Sequence, residues 1–418
     1  MVRNLAFRLW RSGVFGAGVR RALRPVAIGV THAIAAPPGF DSRNAPAEGR
    51  GPIVVSGFLS ETFGVARGAR LTVAALRDAG LPVLEHDVRP LIEAAGYRAA
   101  PLPTAAPGGV WLVHCNPPEA LAAFARIPTA AWRSKYRIGY WAWELPVAPA
   151  LWRRAARLFH EVWTPSRFVA DSLDGARAPI RVMPHTVSAP SAERPDRAAF
   201  GLEDDRVWIL TIADLRSSAT RKNPFGAIEA FTRAFPSSQQ RAGLLVKLVQ
   251  ADFEAATRSR LERMIAGRDD IRLMERHLTD DEMASLTASI DIYLSLHRAE
   301  GFGLGLAEAL AMGRACLATG WSGNLEFMSD LDPMLAPYAL TPVRDPAGVY
   351  TDRSQMWAEP DIAAAAEKLA ALCRDDVLRR RMGEEGRARV AGLGAAWTRE
   401  QLEAMPFFRH CDAAASKA

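Results

Sequence analysis

From residue 52 onward, short β-branched runs alternate with Ala-rich stretches of helical character, the pattern left by parallel strands joined through crossover helices. The class is α/β. In the first half the pattern predicts strands at Ile53 to Ser56, Pro82 to Leu84, Val110 to His114, Ile138 to Trp141, Val162 to Trp163 and Ile180 to Met183. A helix from about Gly64 to Ala79 ends at Gly80, where a left-handed cap is wanted, and Ser166 is placed to cap a helix running through Phe168 to Leu173. Between Ser188 and Arg206 the pattern breaks into Pro190, Pro195, several charges and Gly201, as an interdomain linker would. A second alternating set follows, with strands at Val207 to Ile212, Leu244 to Val249, Ile271 to Leu273, Asp291 to Leu296 and Ala315 to Thr319. The tail from about Ala396 to Arg409 reads as helical, with Trp397, Leu402, Met405 and Phe408.

A chain of 418 residues is too long for one core, so two domains are expected. The divisions are an arm at 1–50, an N-terminal domain at 51–190, a linker at 191–206, a C-terminal domain at 207–395 and a closing helix and tail at 396–418. Two doubly wound sheets joined by a linker would leave a cleft between the carboxyl ends of their strands, where open α/β folds bind ligands. Function is therefore expected on strand-to-helix loops.

Charge changes this picture only at the N-terminus. The net charge of +6 comes from residues 1–50, with eight Arg against Asp41 and Glu48, while the remainder is balanced. The arginines of the arm sit among Leu5, Phe7, Leu9, Trp10, Val14 and Phe15, a composition suited to an anionic membrane surface or to a plain extension. The neutral body argues against nucleic-acid binding. No apolar run is long enough to span a bilayer, and no secretory cleavage site is evident. Cys115, Cys316, Cys373 and Cys411 lie apart, without metal-ligand spacing, which suits a reducing cytoplasm.

Two segments carry chemistry. Glu300-Gly-Phe-Gly-Leu-Gly-Leu-Ala-Glu308 follows the predicted strand Asp291 to Leu296 as a Gly-rich turn opening a helix. Gly301, Gly303 and Gly305 allow close backbone approach to a ligand, and the helix start suits a phosphate. Glu300 and Glu308 can accept paired hydrogen bonds from the vicinal hydroxyls of a sugar and a ribose. The plain alternative is a solvated helix with a glycine-loosened start. The second segment, Asp214-Leu-Arg216-Ser-Ser-Ala-Thr-Arg221-Lys222-Asn223-Pro224, follows the strand Val207 to Ile212. Asn223 and Pro224 suit the cap and first position of a helix Phe225 to Phe235. Arg216, Arg221 and Lys222 would then form a diphosphate clamp beside its start, or an ordinary charged loop.

On these residues the chain resembles the retaining glycosyltransferases of family 4, whose E-x7-E donor signature Glu300 and Glu308 match and whose phosphate-clamp region Arg221-Lys-Asn-Pro224 resembles. The resemblance spans most of residues 52–410 and includes Gly57 to Arg70, Gly139 to Pro146, Glu161 to Val169 and Ala318 to Met328. It implies a GT-B fold, two Rossmann-like domains facing across a cleft, with the C-terminal helix expected to return to the N-terminal domain. It implies that Glu300 holds donor-sugar hydroxyls and Glu308 the ribose, that Lys222 with Arg216 or its competitor Arg221 meets the diphosphate, that Gly64 lies near the donor phosphates, and that His114 lies beside the reacting sugar. A half-buried structural histidine is the bland alternative for His114. The loop Trp321 to Asn324, with Gly323 and Asn324, is expected to approach the donor sugar by its backbone. Trp141, Trp143 and Glu144 are candidates to line an acceptor pocket, with aromatic core packing equally open.

The implied reaction moves a hexose, mannose being one candidate, from a nucleotide-sugar donor to a glycan or lipid-linked acceptor with retention of anomeric configuration. Front-face attack would let the leaving phosphate take the acceptor proton, so no protein base is named. No Asp-x-Asp cluster is present, and neither a metal nor another cofactor is expected. The expected location is the cytoplasm, or its membrane face if the arm binds lipid. A sugar-nucleotide epimerase or hydrolase, and a catalytically silent binding module, are the alternatives on the same fold.

Overall fold

The structure is a computed structural model, and it describes residues 41–42, 47, 49–93, 101–104, 107–189, 195–238 and 241–412. The basic arm, with its membrane reading, lies outside the described residues, apart from a few near its end.

The chain forms two compact units. The first comprises residues up to Trp143, Val147–His185 and the C-terminal stretch from Ala395; the second comprises Thr186–Gly394 with the short segment Glu144–Pro146. The first unit is built on a six-stranded parallel sheet of β1 (Ile53–Gly57), β2 (Val83–Asp87), β3 (Val110–His114), β4 (Tyr136–Tyr140), β5 (Glu161–Thr164) and β6 (Ile180–Val182), in the order β2-β1-β3-β4-β5-β6. Side chains alternate across the sheet, so Val54, Trp111 and Val113 enter one apolar cluster and Ile53, Val55, Val110 and Leu112 the other. The predicted helix spans Gly64–Asp78 and is followed by Gly80 at φ 72°. Ser166 caps its helix, accepting from the Val169 amide at 3.3 Å. The C-terminal stretch returns to this unit: Trp397, Leu402 and Phe407 join the second cluster, and the Trp397 indole donates to the Pro184 carbonyl at 2.6 Å. It is not one helix, as its sequence suggested, but a five-residue helix, Arg399–Glu403, between 3-10 turns, because Pro406 removes a donor the helix would need.

The second unit repeats the plan with β7 (Val207–Asp214), β8 (Ala242–Val249), β9 (Ile271–Met274), β10 (Ile292–Ser295), β11 (Ala315–Thr319) and β12 (Leu335–Ala336), in the order β12-β11-β10-β7-β8-β9. The pattern along the chain does not announce β12, nor the antiparallel ribbon of β13 (Tyr338–Pro342) and β14 (Met356–Pro360). Among the described residues no helix is long and apolar enough to cross a membrane. All four cysteines are unpaired.

Strand order fixes where ligands fit. In the second unit the chain winds one way from β7 to β9 and the other way from β10 to β12, so β7 and β10 are neighbours whose following loops part company. In the first unit the same switch falls between β1 and β3. Such switch points are where doubly wound sheets hold ligands.

Candidate functional site

At the switch point of the second unit the loops after β7 and β10 bring three charged groups together. Lys222 Nζ lies 2.5 Å from Glu300 Oε1 and Arg221 Nη1 3.2 Å from Glu300 Oε2. Glu300 is 8% exposed and Arg221 3%, so the pair is removed from water. Burial pushes the Glu300 carboxyl upward; Lys222, then Arg221 and His297, outweigh it and hold the group at about 2. Glu300 is thus a carboxylate throughout the physiological range.

The backbone is bent to make this possible. Asn223 adopts a left-handed conformation, φ 54°, and its side chain accepts from the Gly226 amide at 3.1 Å to start the helix Pro224–Ala234. Its amide nitrogen donates to the Leu296 carbonyl at 2.9 Å, tying the β7 loop to the end of β10. Ser218, also left-handed, caps the turn bearing Arg221. On the opposite side, the Glu300 amide donates to Ser322 Oγ at 2.8 Å and the Gly323 amide to the Glu300 carbonyl at 2.9 Å.

The glycines divide by role. Gly303, at φ 92°, opens the helix Leu304–Ala311, whose first amides have no acceptor within the helix. A Cβ on Gly323 would stand 2.2 Å from the Gly301 carbonyl oxygen, so the two loops touch backbone to backbone. Gly305 makes room for the buried Tyr293 hydroxyl. Gly64 is exposed and begins its helix with open space beside it. Glu308 is half-buried in the helix Leu304–Ala311. After burial, Glu300 and Glu308 together push the Tyr293 hydroxyl upward, which locates both carboxylates around one residue.

Some candidates lie elsewhere. Arg216 lies 3.6 Å from Asp214, and among the described residues its ion pair is with that carboxylate and not with Glu300. The Arg221 guanidinium is occupied from within, donating to the carbonyls of Ser217 and Ala299 besides its contact with Glu300. Asn324 is fully buried, its amide donating to the Thr319 carbonyl at 3.0 Å and its oxygen 3.2 Å from His297 Nε2; this side chain fixes the loop rather than facing a ligand. Trp141 is 0% exposed and packs against Phe159 and Trp152, so it belongs to the core and not to a pocket wall. Trp143 is half-buried, donating to the Val147 carbonyl. Glu144 groups with the second unit, where it acts on Arg221 and Tyr350.

His114 closes β3 opposite Gly57, at the switch point of the first unit. It is 2% exposed and stacks on Tyr140 at 4.1 Å, with His185 at 5.9 Å beyond. Among the described residues neither ring nitrogen has a hydrogen-bond partner. Burial, then His185, lowers its basicity, so the ring is neutral at physiological pH. Gly68 supplies the space: a Cβ there would meet the His185 ring at 2.7 Å. His297, not named among the sequence candidates, lies within the cluster, hydrogen-bonding Ser295 and lying against the Trp321 carbonyl and Asn324. Its signal was its place three residues before Glu300.

Residues 217–375, the stretch that carries this cluster, match the family described as "Glycosyl transferases group 1". The curated proteins compared with the chain include no match. Among solved structures, sucrose-phosphate synthase from Thermosynechococcus elongatus is 16% identical with a TM-score of 0.58, covering 82% of this chain and 95% of its own. Trehalose 6-phosphate synthase from Burkholderia multivorans is 13% identical, with a TM-score of 0.57 and coverage of 85% and 97%. Anabaena HepE, solved with UDP and glucose, is 11% identical, with a TM-score of 0.55 and coverage of 84% and 98%. The fold is GT-B. Identities this low establish the fold alone.

Proposed function

We propose that this chain is a nucleotide-sugar-dependent hexosyltransferase that retains anomeric configuration and acts on a glycan or lipid-linked acceptor. The observation that carries the reading is the buried Lys222–Glu300–Arg221 cluster at the β7/β10 switch point, inside the stretch that matches group 1 glycosyl transferases. Glu300, a fixed carboxylate, accepts hydrogen bonds from donor-sugar hydroxyls. Lys222 has three N–H groups and a side chain 25% exposed, so it can keep Glu300 while offering a proton to a phosphate oxygen, offsetting the charge on the leaving diphosphate. The amides opening the helix Leu304–Ala311 add positive potential, and Glu308 takes the ribose. His114, neutral, is an uncharged polar group at the switch point of the first unit. The solved complex of HepE with UDP and glucose is in keeping with a nucleotide and a sugar as ligands. With cations supplied by the protein, transfer needs no divalent ion, and activity is expected to persist in EDTA; complete loss on chelation contradicts this.

The test is thermal stabilisation by UDP-, GDP-, ADP- and dTDP-sugars, with Glu308→Ala beside the wild type. A ligand at a hundredfold excess over its dissociation constant stabilises by about 2.7 kcal/mol, a clear melting shift. One nucleotide family is expected to stabilise the wild type, and Glu308→Ala to lose the shift. No stabilisation by any of them contradicts the proposed donor site.

A further inference from the structure

The ribbon β13–β14 and the loop it carries are fastened to the β7 and β10 loops at several points. Asp345 is the main one: its Oδ1 accepts from Ser218 Oγ at 2.8 Å and from the Ala347 amide at 3.3 Å, and its Oδ2 from the Val349 and Tyr350 amides at 2.8 and 3.0 Å. Ser218 is the same left-handed residue that caps the turn of Arg221, so one carboxylate joins that turn to the ribbon loop. On the other side, Arg298 bonds both oxygens of Glu359 in β14 at 2.7 Å and donates to the Thr220 carbonyl at 2.6 Å, while its own carbonyl receives the Ala358 amide. Between these fastenings Tyr350, 6% exposed, lays its ring over the Arg221 guanidinium with 5.9 Å to the centroid, backed edge-on by Trp357 at 6.5 Å.

An ion pair open to water is worth little, because solvent and salt screen it. The Arg221–Glu300 contact escapes that screening where Tyr350 covers it, and the aromatic face attracts the cation as well. We propose that Tyr350 is a positioning residue for the donor site: its ring keeps water from the Arg221 guanidinium, which therefore stays on Glu300 and holds that carboxylate in the orientation that receives the sugar. The inference rests on the transferase reading for its catalytic meaning and on geometry alone for the hold of Tyr350 on Arg221. Arg221, occupied by Glu300 and two carbonyls, then acts through Glu300, leaving Lys222 to meet the diphosphate.

The experiment uses the full chain with Tyr350→Ala, Tyr350→Phe and Asp345→Ala, the last freeing the loop without deleting the ring. Phenylglyoxal modification of Arg221, followed by mass spectrometry on proteins shown by circular dichroism to be folded, reads the cover directly. The rate is expected to rise at least tenfold in Tyr350→Ala and Asp345→Ala and to stay at the wild-type level in Tyr350→Phe. Affinity is read with the nucleotide sugar that stabilises the wild type and with its free nucleoside diphosphate, which does not reach Glu300. Tyr350→Ala should weaken the sugar nucleotide at least fivefold and leave the diphosphate within twofold. Unchanged labelling in Tyr350→Ala overturns the proposal, as does equal loss of both ligands, which marks a general structural role. Increased labelling in a protein whose wild type binds no nucleotide sugar upholds the hold on Arg221 and defeats the transferase reading alone.

Discussion

Among the described residues, four other than glycine hold left-handed backbones: Ser218, Asn223, Gln250 and Ser322. All lie in loops just past the carboxyl ends of β7, β8 and β11, and three flank the Glu300 cluster. Conformations of this kind cost on the order of 1–3 kcal/mol each and persist where surrounding bonds impose them, commonly at functional sites. The same closeness makes Gly323 irreplaceable. Gly323→Ala must push its loop off the Gly301 carbonyl, and we expect a lower melting temperature together with loss of the nucleotide-sugar shift; a variant matching the wild type in both contradicts the described contact. Glu300 gives a prediction in acid. Its folded carboxyl titrates at about 2 against an ordinary 4.5, so the unfolded chain takes the proton first, and the group's contribution to stability, present above about 4.5, is lost as pH falls toward 2. Melting temperature followed across that window should fall less steeply in Glu300→Gln than in the wild type. The types and spacing of Glu300, Lys222 and Glu308 were legible in the sequence because they stand beside a Gly-rich turn and an Asn-Pro helix start that directly follow expected strands. That Arg221 would turn inward was not, since it depends on carbonyls supplied by Ser217 and Ala299.

Strands were legible as elements: β3 and β11 keep their expected bounds, and the other ends moved by at most three residues. Trp141 was assigned to the end of β4 but falls just past it, and a strand-end tryptophan reads the same in sequence whether it faces a pocket or the core. The ribbon was missed because Tyr338 to Pro342 is largely exposed and has no apolar face to reveal it. The C-terminal stretch was legible through Trp397, Leu402 and Phe408, although Phe407, not Phe408, is the fully buried ring. Its packing makes a clear test. Trp397→Ala removes an indole that is 4% exposed, set edge-on to Trp163 and bonded to the Pro184 carbonyl, and should cost about 3–5 kcal/mol in chemical denaturation. A loss below about 1 kcal/mol would mean that the stretch does not complete the first unit's core.

At the scale of the molecule, the two-sheet plan followed from the alternation of strands and helices, while the switch points needed the strand order, which no local pattern records. Among the described residues five histidines, His86, His114, His185, His297 and His410, are made less basic chiefly by burial, His185 to about 3. Below the ordinary value of 6.5 the unfolded chain binds protons that the folded chain refuses, so stability should fall from pH 6.5 downward. Denaturant midpoints constant between pH 7 and 5 would contradict that burial. The central claim, that Glu300 and its cations act on a nucleotide sugar, is tested most directly by nucleoside diphosphate release from the panel of nucleotide sugars, wild type beside Glu300→Gln. The account predicts release from one donor class and a drop of roughly 10²-fold or more in the variant, the scale seen when one preorganised polar contact is removed. Release from no donor, or equal release by both proteins, would contradict it.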